Sequence, residues 1–99
     1  MAFRIEYSPA VVGHLCALSA SDRVRALAGI DRHLRYEPFV ETRNRKRMRP
    51  NPVAPWELRL GDLRVYFDIE VEREPLVVVL AIGKKIRDRV VIGRMEIEL

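Results

Sequence analysis

The sequence is poor in cysteine, in histidine and in long apolar runs, and each shortage removes a class of function. Cys16 is the only cysteine among 99 residues, and His14 and His33 are the only histidines. A lone cysteine cannot form an internal disulfide, which agrees with a reducing compartment. With no Cys or His cluster to share a metal, neither a structural zinc site nor any other cofactor is expected. No window approaches the roughly 20 apolar residues of a transmembrane helix. Met1 to Tyr7 alternates charged and apolar residues where a signal peptide would show an apolar run. The expectation is a soluble, cytoplasmic protein with no membrane partner. At 48% hydrophobic residues the chain can bury one modest core but not two, so residues 1–99 are expected to form a single domain.

Acidic residues are missing from one stretch in particular. Arg43, Arg45, Lys46, Arg47 and Arg49 lie in seven residues that contain no acid, while the whole chain carries a net charge of +4. The excess is therefore local, since the remainder of the chain is slightly negative. Lys84, Lys85, Arg87 and Arg89, opposed only by Asp88, form a second basic cluster. Two separated basic segments that can meet in space point to an anionic partner such as nucleic acid.

Between them lies the most ordered pattern in the chain. Trp56 to Ile69 alternates apolar and polar residues on both sides of Gly61-Asp62, which reads as a β-hairpin with a two-residue turn. Trp56, Leu58, Leu60, Leu63, Val65, Phe67 and Ile69 share one face of it, and Glu57, Arg59, Arg64, Tyr66 and Asp68 share the other. Upstream, Phe3, Ile5 and Tyr7 mark a first strand. Ser8-Pro9 then starts a helix, with Ser8 as N-cap and Val11, Val12, Leu15 and Leu18 as its apolar stripe. Ser19 caps a second helix with Asp22 at the capping-box position, and Val24, Leu27, Ile30, Asp31 and Leu34 trace its inner stripe. Residues 37–55 hold four of the six prolines and show no periodicity, so a long loop is expected there. Leu76 to Ile82 is a continuous apolar run suited to a central strand, which Gly83 is expected to stop. Val90 to Ile92 fits one more short strand, and residues 93–99 fit either an edge strand or a frayed tail. The order predicts an α+β fold in two layers: an N-terminal strand, a two-helix hairpin, and antiparallel strands of one small mixed sheet covered by the helices on one face.

The hairpin Trp56-Glu57-Leu58-Arg59-Leu60-Gly61-Asp62-Leu63-Arg64-Val65-Tyr66-Phe67, followed by a strand ending Ile82-Gly83-Lys84-Lys85, resembles the RelE/ParE superfamily of bacterial toxins from type II toxin-antitoxin pairs. The likeness runs from Phe3 to about Ile92. It implies a toxin neutralised by a cognate antitoxin. In the RelE branch the activity is ribosome-dependent cleavage of mRNA, a metal-free attack by the 2'-hydroxyl; in the ParE branch it is non-enzymatic inhibition of DNA gyrase. By the resemblance, Arg59, Arg64 and Lys85 occupy cationic positions suited to phosphate oxygens. The sequence also departs from the RelE pattern. Glu57 stands where RelE has a lysine, Lys85 replaces an arginine, and the catalytic tyrosine position falls on Val91.

Glu57 shares a face with Arg59 and is a candidate, though weak, general base, with Tyr66 and Asp68 as alternatives. The plainer reading pairs Glu57 with Arg59 or Arg64. Arg43, Arg45, Lys46, Arg47, Arg49, Lys84 and Arg87 are candidates for nucleic-acid contact. For the loop, contact with an antitoxin or simple solvation remains open. His14, His33 and Cys16 read as helix residues without chemical roles, and Trp56 reads as core.

Overall fold

The computed structural model describes residues 2–97. Strand β1 (Arg4–Tyr7) leads into α1 (Ala10–Cys16) and α2 (Ala20–Leu34). Six further strands follow: β2 (Arg45–Arg47), β3 (Trp56–Leu60), β4 (Leu63–Glu70), β5 (Leu76–Ile86), β6 (Arg89–Ile92) and β7 (Met95–Ile97). All belong to one sheet in the order β2-β3-β4-β5-β6-β7, with β1 parallel to β5 and every other pair antiparallel. Both helices pack on one face, α1 against β5 and α2 against β3 and β4. The two-layer α+β expectation holds, with more strands than the three or four that two helix stripes call for.

The hairpin forms as its alternation predicts. Leu60 pairs with Leu63 across the two-residue turn, and Gly61 takes φ +60, which an L side chain rarely adopts. Trp56, Leu58, Leu63, Val65 and Phe67 are buried in the main core with Phe3, Val11, Ile30, Leu34, Val77, Val79 and Ile82. Trp56 stacks on Phe67 with ring centroids 5.9 Å apart, so it is a core residue.

The helix details correct the sequence reading in three places. Ser19 caps α2, its Oγ accepting from the Asp22 amide at 3.1 Å. Ser8, by contrast, does not cap α1; its hydroxyl donates to the Leu80 carbonyl at 3.2 Å. The inner stripe of α2 is Asp22, Ala26, Ile30 and Leu34, a run at four-residue spacing. Val24 and Leu27 are 69% and 39% exposed, and Asp31 faces solvent to pair with Arg35. On α1, Val12 is exposed as well. Branched apolar residues on a short helix signal a stripe from sequence, but the sheet's position decides which stripe is covered.

One segment expected to be loop contains a strand, and of the two readings left open for the C-terminal segment the edge strand is the one observed. The stretch 37–55 contains β2, which pairs with β3 through Arg45↔Leu58, Lys46↔Glu57 and Arg47↔Trp56. Three residues are too few for alternation to show against a basic run. Residues 95–97 form β7, an edge strand on β6; residues 98 and 99 lie outside the described residues.

β5 does not stop at Gly83. Its one edge is shared, by β1 along Leu76 to Val79 and by β6 along Gly83 to Ile86. Between the two partners Leu80 bulges, because Phe67 pairs with Val79 but Tyr66 pairs with Ala81. The backbone groups in this gap are met by side chains from α1 and its entry: Ser8 Oγ on the Leu80 carbonyl, and His14 Nδ1 accepting from the Ile82 amide at 3.3 Å. Gly83 is required where β6 begins, since a Cβ there would lie 2.6 Å from the Val91 carbonyl oxygen.

Gly83→Ala should therefore push β6 off β5 and destabilise the protein by about 1–3 kcal/mol, the usual cost of overpacking, read as a lower urea midpoint. His14 must be neutral to accept the Ile82 amide, and burial lowers its pKa below the ordinary 6.5. Its stabilising contribution is complete above that value and is lost as pH falls below it, because the unfolded chain then binds the proton more readily. Wild type should lose stability between pH 7 and pH 5 more steeply than a His14→Gln variant, followed by denaturant titration at each pH.

Candidate functional site

The sheet has a second face, turned away from the helices, and strand register decides what stands on it. Because Trp56 and Leu58 point into the main core, Glu57 and Arg59 point the other way. Arg59 is the direct partner of Arg64, and Arg64 of Gly83; Lys46, Glu57, Tyr66 and Ala81 form the neighbouring row. Lys84 reaches Asp22 on the helix side, so Lys85 points to the opposite face, beside its partner Val90. Arg59, Arg64 and Lys85, grouped by the resemblance, thus share one face with Lys46 and Glu57.

Two arginines directly opposite each other repel. Each is held by a different device. Arg59 Nε donates to Glu57 Oε1 at 2.7 Å. Arg64 is only 9% exposed, and its Nη1 donates to the carbonyls of Gly61 and Leu63 at 2.7 and 2.9 Å. The Arg64 side chain is therefore pinned beneath the hairpin turn by neutral acceptors. Among the described residues neither Arg64 nor Lys85 has an acidic partner within ion-pair distance.

The face is partly roofed, where an open polar surface was expected. Ala54, Tyr66, Ala81 and Ile92 form a small second core, with Met48, Val53, Leu80, Val90 and Ile97 packed around it. Tyr66 lies at its centre with 0% exposure, its hydroxyl without a hydrogen-bond partner among the described residues. Burial, and secondarily the Glu57 carboxylate, push its pKa far above the ordinary phenol value of 10.0. Tyr66 is thereby removed as a proton-transfer candidate. Asp68 is exposed and caps its own chain, accepting from the Ile69 amide at 2.7 Å. Val90 and Ile92 pack into the second core, so Val91 between them points to the helix side, where it lines a recess with Lys84 and Asp22. A side chain at position 91 does not face the cations.

The basic stretch divides by function. Arg45 is a clamp: its Nη1 donates to the His33 and Tyr36 carbonyls at 2.6 and 3.3 Å and its Nε to that of Val40 at 3.0 Å. Arg47 lies over the Trp56 ring, 5.7 Å from its centroid. Arg43 and Arg49 are exposed, as is Lys46 opposite Glu57. Lys84, a nucleic-acid-contact candidate from sequence, instead pairs with Asp22 at 2.8 Å and Asp62 at 3.6 Å on the other face. Hydrogen bonds from Lys84 and Arg25 hold the Asp22 carboxyl below its usual range. Arg87 sits exposed at the β5–β6 tip with φ +62.

Asn51, which no sequence signal singled out, shapes the β2–β3 connection. Its Nδ2 donates to the carbonyls of Arg49 and Ala54 at 2.7 and 2.8 Å, and its Oδ1 accepts from the amides of Val53 and Ala54 at 2.8 and 3.1 Å. An Asn between two prolines is the only hint the sequence offers of such an Asx turn. The clamped loop walls a groove of about 400 Å³ whose charged lining is Lys46, Arg47, Arg49, Glu57 and Arg59. A neighbouring groove of about 600 Å³ continues toward Asp68 and Leu80. The first basic segment and the hairpin face are thus parts of one surface. Asn51→Ala should release the loop, with the Val53 and Ala54 amides becoming fast in hydrogen exchange while the β4 and β5 amides stay protected.

No protein-family model matches the sequence, and neither does any curated protein. Among solved structures, a chain of the toxin-antitoxin complex RelBE2 from Mycobacterium tuberculosis is similar, with a TM-score of 0.69 over 86% of this chain and 100% of that chain. The two share 19% sequence identity. The likeness lies in the backbone and establishes a RelE-like α+β fold for this chain, the architecture that the hairpin and the Ile82-Gly83-Lys84-Lys85 strand imply.

Proposed function

We propose that this chain is the toxin of a toxin-antitoxin pair and acts as a metal-independent endoribonuclease on mRNA at the ribosome. Metal-free cleavage of RNA needs a base for the 2'-hydroxyl proton, cations for the extra negative charge on the five-coordinate phosphate, and an acid for the departing 5'-oxygen. The observation that carries this reading is the Arg59–Arg64 cross-strand pair with Lys85 on the same face, two of the three lacking an acidic partner among the described residues. Arg64, fixed by the turn carbonyls, is the anchor for a phosphate oxygen. Arg59 and Lys85 supply a movable fork and a point charge. Lys46, Arg43, Arg47 and Arg49 steer the RNA backbone along the groove beside them. Among the described residues Glu57 is the one carboxylate bonded into this set, which makes it the base in this reading.

The partners follow from charge. A toxin with this basic face suits an acidic, partly disordered antitoxin segment that orders on contact. The similar solved chain comes from a complex of toxin and antitoxin. Among the described residues no helix is long and apolar enough to cross a membrane.

A second reading, non-enzymatic inhibition of DNA gyrase, draws support from one observation. Among the described residues the face holds no free proton-transfer group of the expected kind, since Tyr66 is sealed, Glu57 is tied to Arg59, and Val91 points to the helices. The test is brief induction followed by mapping of RNA 5' ends. The expected result is growth arrest with cuts inside translated codons, reduced about 10²–10³-fold by Arg64→Ala. Intact mRNA with gyrase-dependent DNA breaks would favour the second reading. Absence of any growth effect, with antitoxin still bound tightly, would mark an inactive antitoxin-binding module.

A further inference from the structure

Among the described residues Tyr66 carries the one buried side-chain polar atom without a hydrogen-bond partner, and the proposed chemistry does not use it. Its hydroxyl is sealed among Ala54, Ala81 and Ile92 without a hydrogen bond. A buried hydroxyl in that state is costly and calls for an explanation. Its cross-strand partner is Glu57, whose carboxylate is close enough to raise the phenol's pKa both by charge and by hydrogen-bonding pull, while the hydroxyl falls short of a formed hydrogen bond. Glu57 is itself nearly buried, its side chain 9% exposed, and its Oε1 is taken by Arg59 Nε. Arg59, in contrast, has half its side chain in solvent, at 52%. Glu57 thus stands between two donors, one mobile and engaged, the other fixed and unused.

We infer that Tyr66 is a positioning residue that takes over Glu57 when Arg59 turns to an anion. A phosphate on this face competes with Glu57 for the Arg59 guanidinium. If Arg59 leaves, the carboxylate becomes an unpaired charge with little access to water, an arrangement that is strongly destabilising. A small rotation lets the Tyr66 hydroxyl donate to Glu57 in its place. No proton is transferred; the phenol stays neutral, as its burial dictates, and the carboxylate stays ionised and fixed. The exchange offsets the cost of recruiting Arg59 and explains why a tyrosine, not a phenylalanine, fills an otherwise apolar pocket. It rests on the reading of Arg59 as a phosphate contact, while the exchange itself can be observed without any RNA.

The test is a pair of backgrounds. In wild type the free protein makes no bond to the Tyr66 hydroxyl, so Tyr66→Phe should leave the melting temperature unchanged or raise it. In Arg59→Ala protein Glu57 is already released to Tyr66, and the same change should lower the melting temperature by roughly 4 °C or more. A packing role for Tyr66 would give the same sign in both backgrounds, and that result overturns the inference. With a single-stranded RNA oligonucleotide as probe, Tyr66→Phe should weaken binding about tenfold in wild type and not at all in Arg59→Ala protein. Arg59-dependent RNA binding that is indifferent to Tyr66→Phe also overturns it. Sign reversal in stability with no RNA binding would uphold the Tyr66–Glu57 exchange and remove the phosphate reading of Arg59.

Discussion

The shared edge of β5 is the constraint on which the rest of the molecule depends. A strand has two edges, and one of those of β5 must serve both β1, which runs parallel, and β6, which runs antiparallel. The changeover leaves backbone groups unpaired in the middle of the sheet, where orphaned donors and acceptors are costly. Ser8 and His14 fill that gap from the helix side, and the Leu80 bulge absorbs the mismatch. The bulge has a consequence across the sheet. It turns both Leu80 and Ala81 toward the face without helices, where they help build the second core that buries Tyr66. It also resets the alternation, so that Gly83 and Lys85 fall beside Arg64 while Lys84 falls beside Asp22.

That reset separates two kinds of cation. On the helix side, Lys84 and Arg25 are consumed by Asp22 and Asp62 in a compact network that ties α2 to the hairpin turn. On the other side the acids run out. Glu57 neutralises one arginine of a cross-strand pair, and the second is stabilised by carbonyl dipoles instead of a carboxylate. Carbonyls hold a guanidinium in place without cancelling its charge. A side chain fixed in this way has little conformational entropy left to lose, which is what the proposed phosphate contact would draw on.

Much of this was legible in the residues. The hairpin, its turn and both of its faces followed from strict alternation about Gly61-Asp62, because a period of two leaves a side chain no third direction. The grouping of Arg59, Arg64 and Lys85 came from a resemblance, and register supplied its physical form. Other features were not legible for definite reasons. β2 is too short to show a period, and the covered stripe of α2 depends on where the sheet lies, which exposed Val24 and Leu27 do not reveal. Gly83 read as a stop because a glycine that permits close approach of a neighbouring strand looks the same in sequence as one that ends a strand. The clamps made by Arg45 and Asn51 depend on backbone carbonyls, and those carry no residue identity to read.

The position of Val91 changes what the departure from the RelE pattern means. Had that position faced the cations, the valine would mark a lost proton-transfer residue in an otherwise ready site. It faces the helices, so restoring a tyrosine there would place the phenol beside Lys84 and Asp22, across the sheet from Arg59. On the proposed reading, proton transfer on the cationic face has to come from groups already there, and among the described residues Glu57 is the only carboxylate bonded to them. Yet Glu57 holds Arg59 in the free protein, so the same side chain that would serve as base also withholds a cation from the phosphate. On that reading, binding and chemistry are therefore coupled through one hydrogen bond: an anion that takes the Nε of Arg59, whether a nucleic-acid phosphate or an acidic partner segment, must displace Glu57 from it.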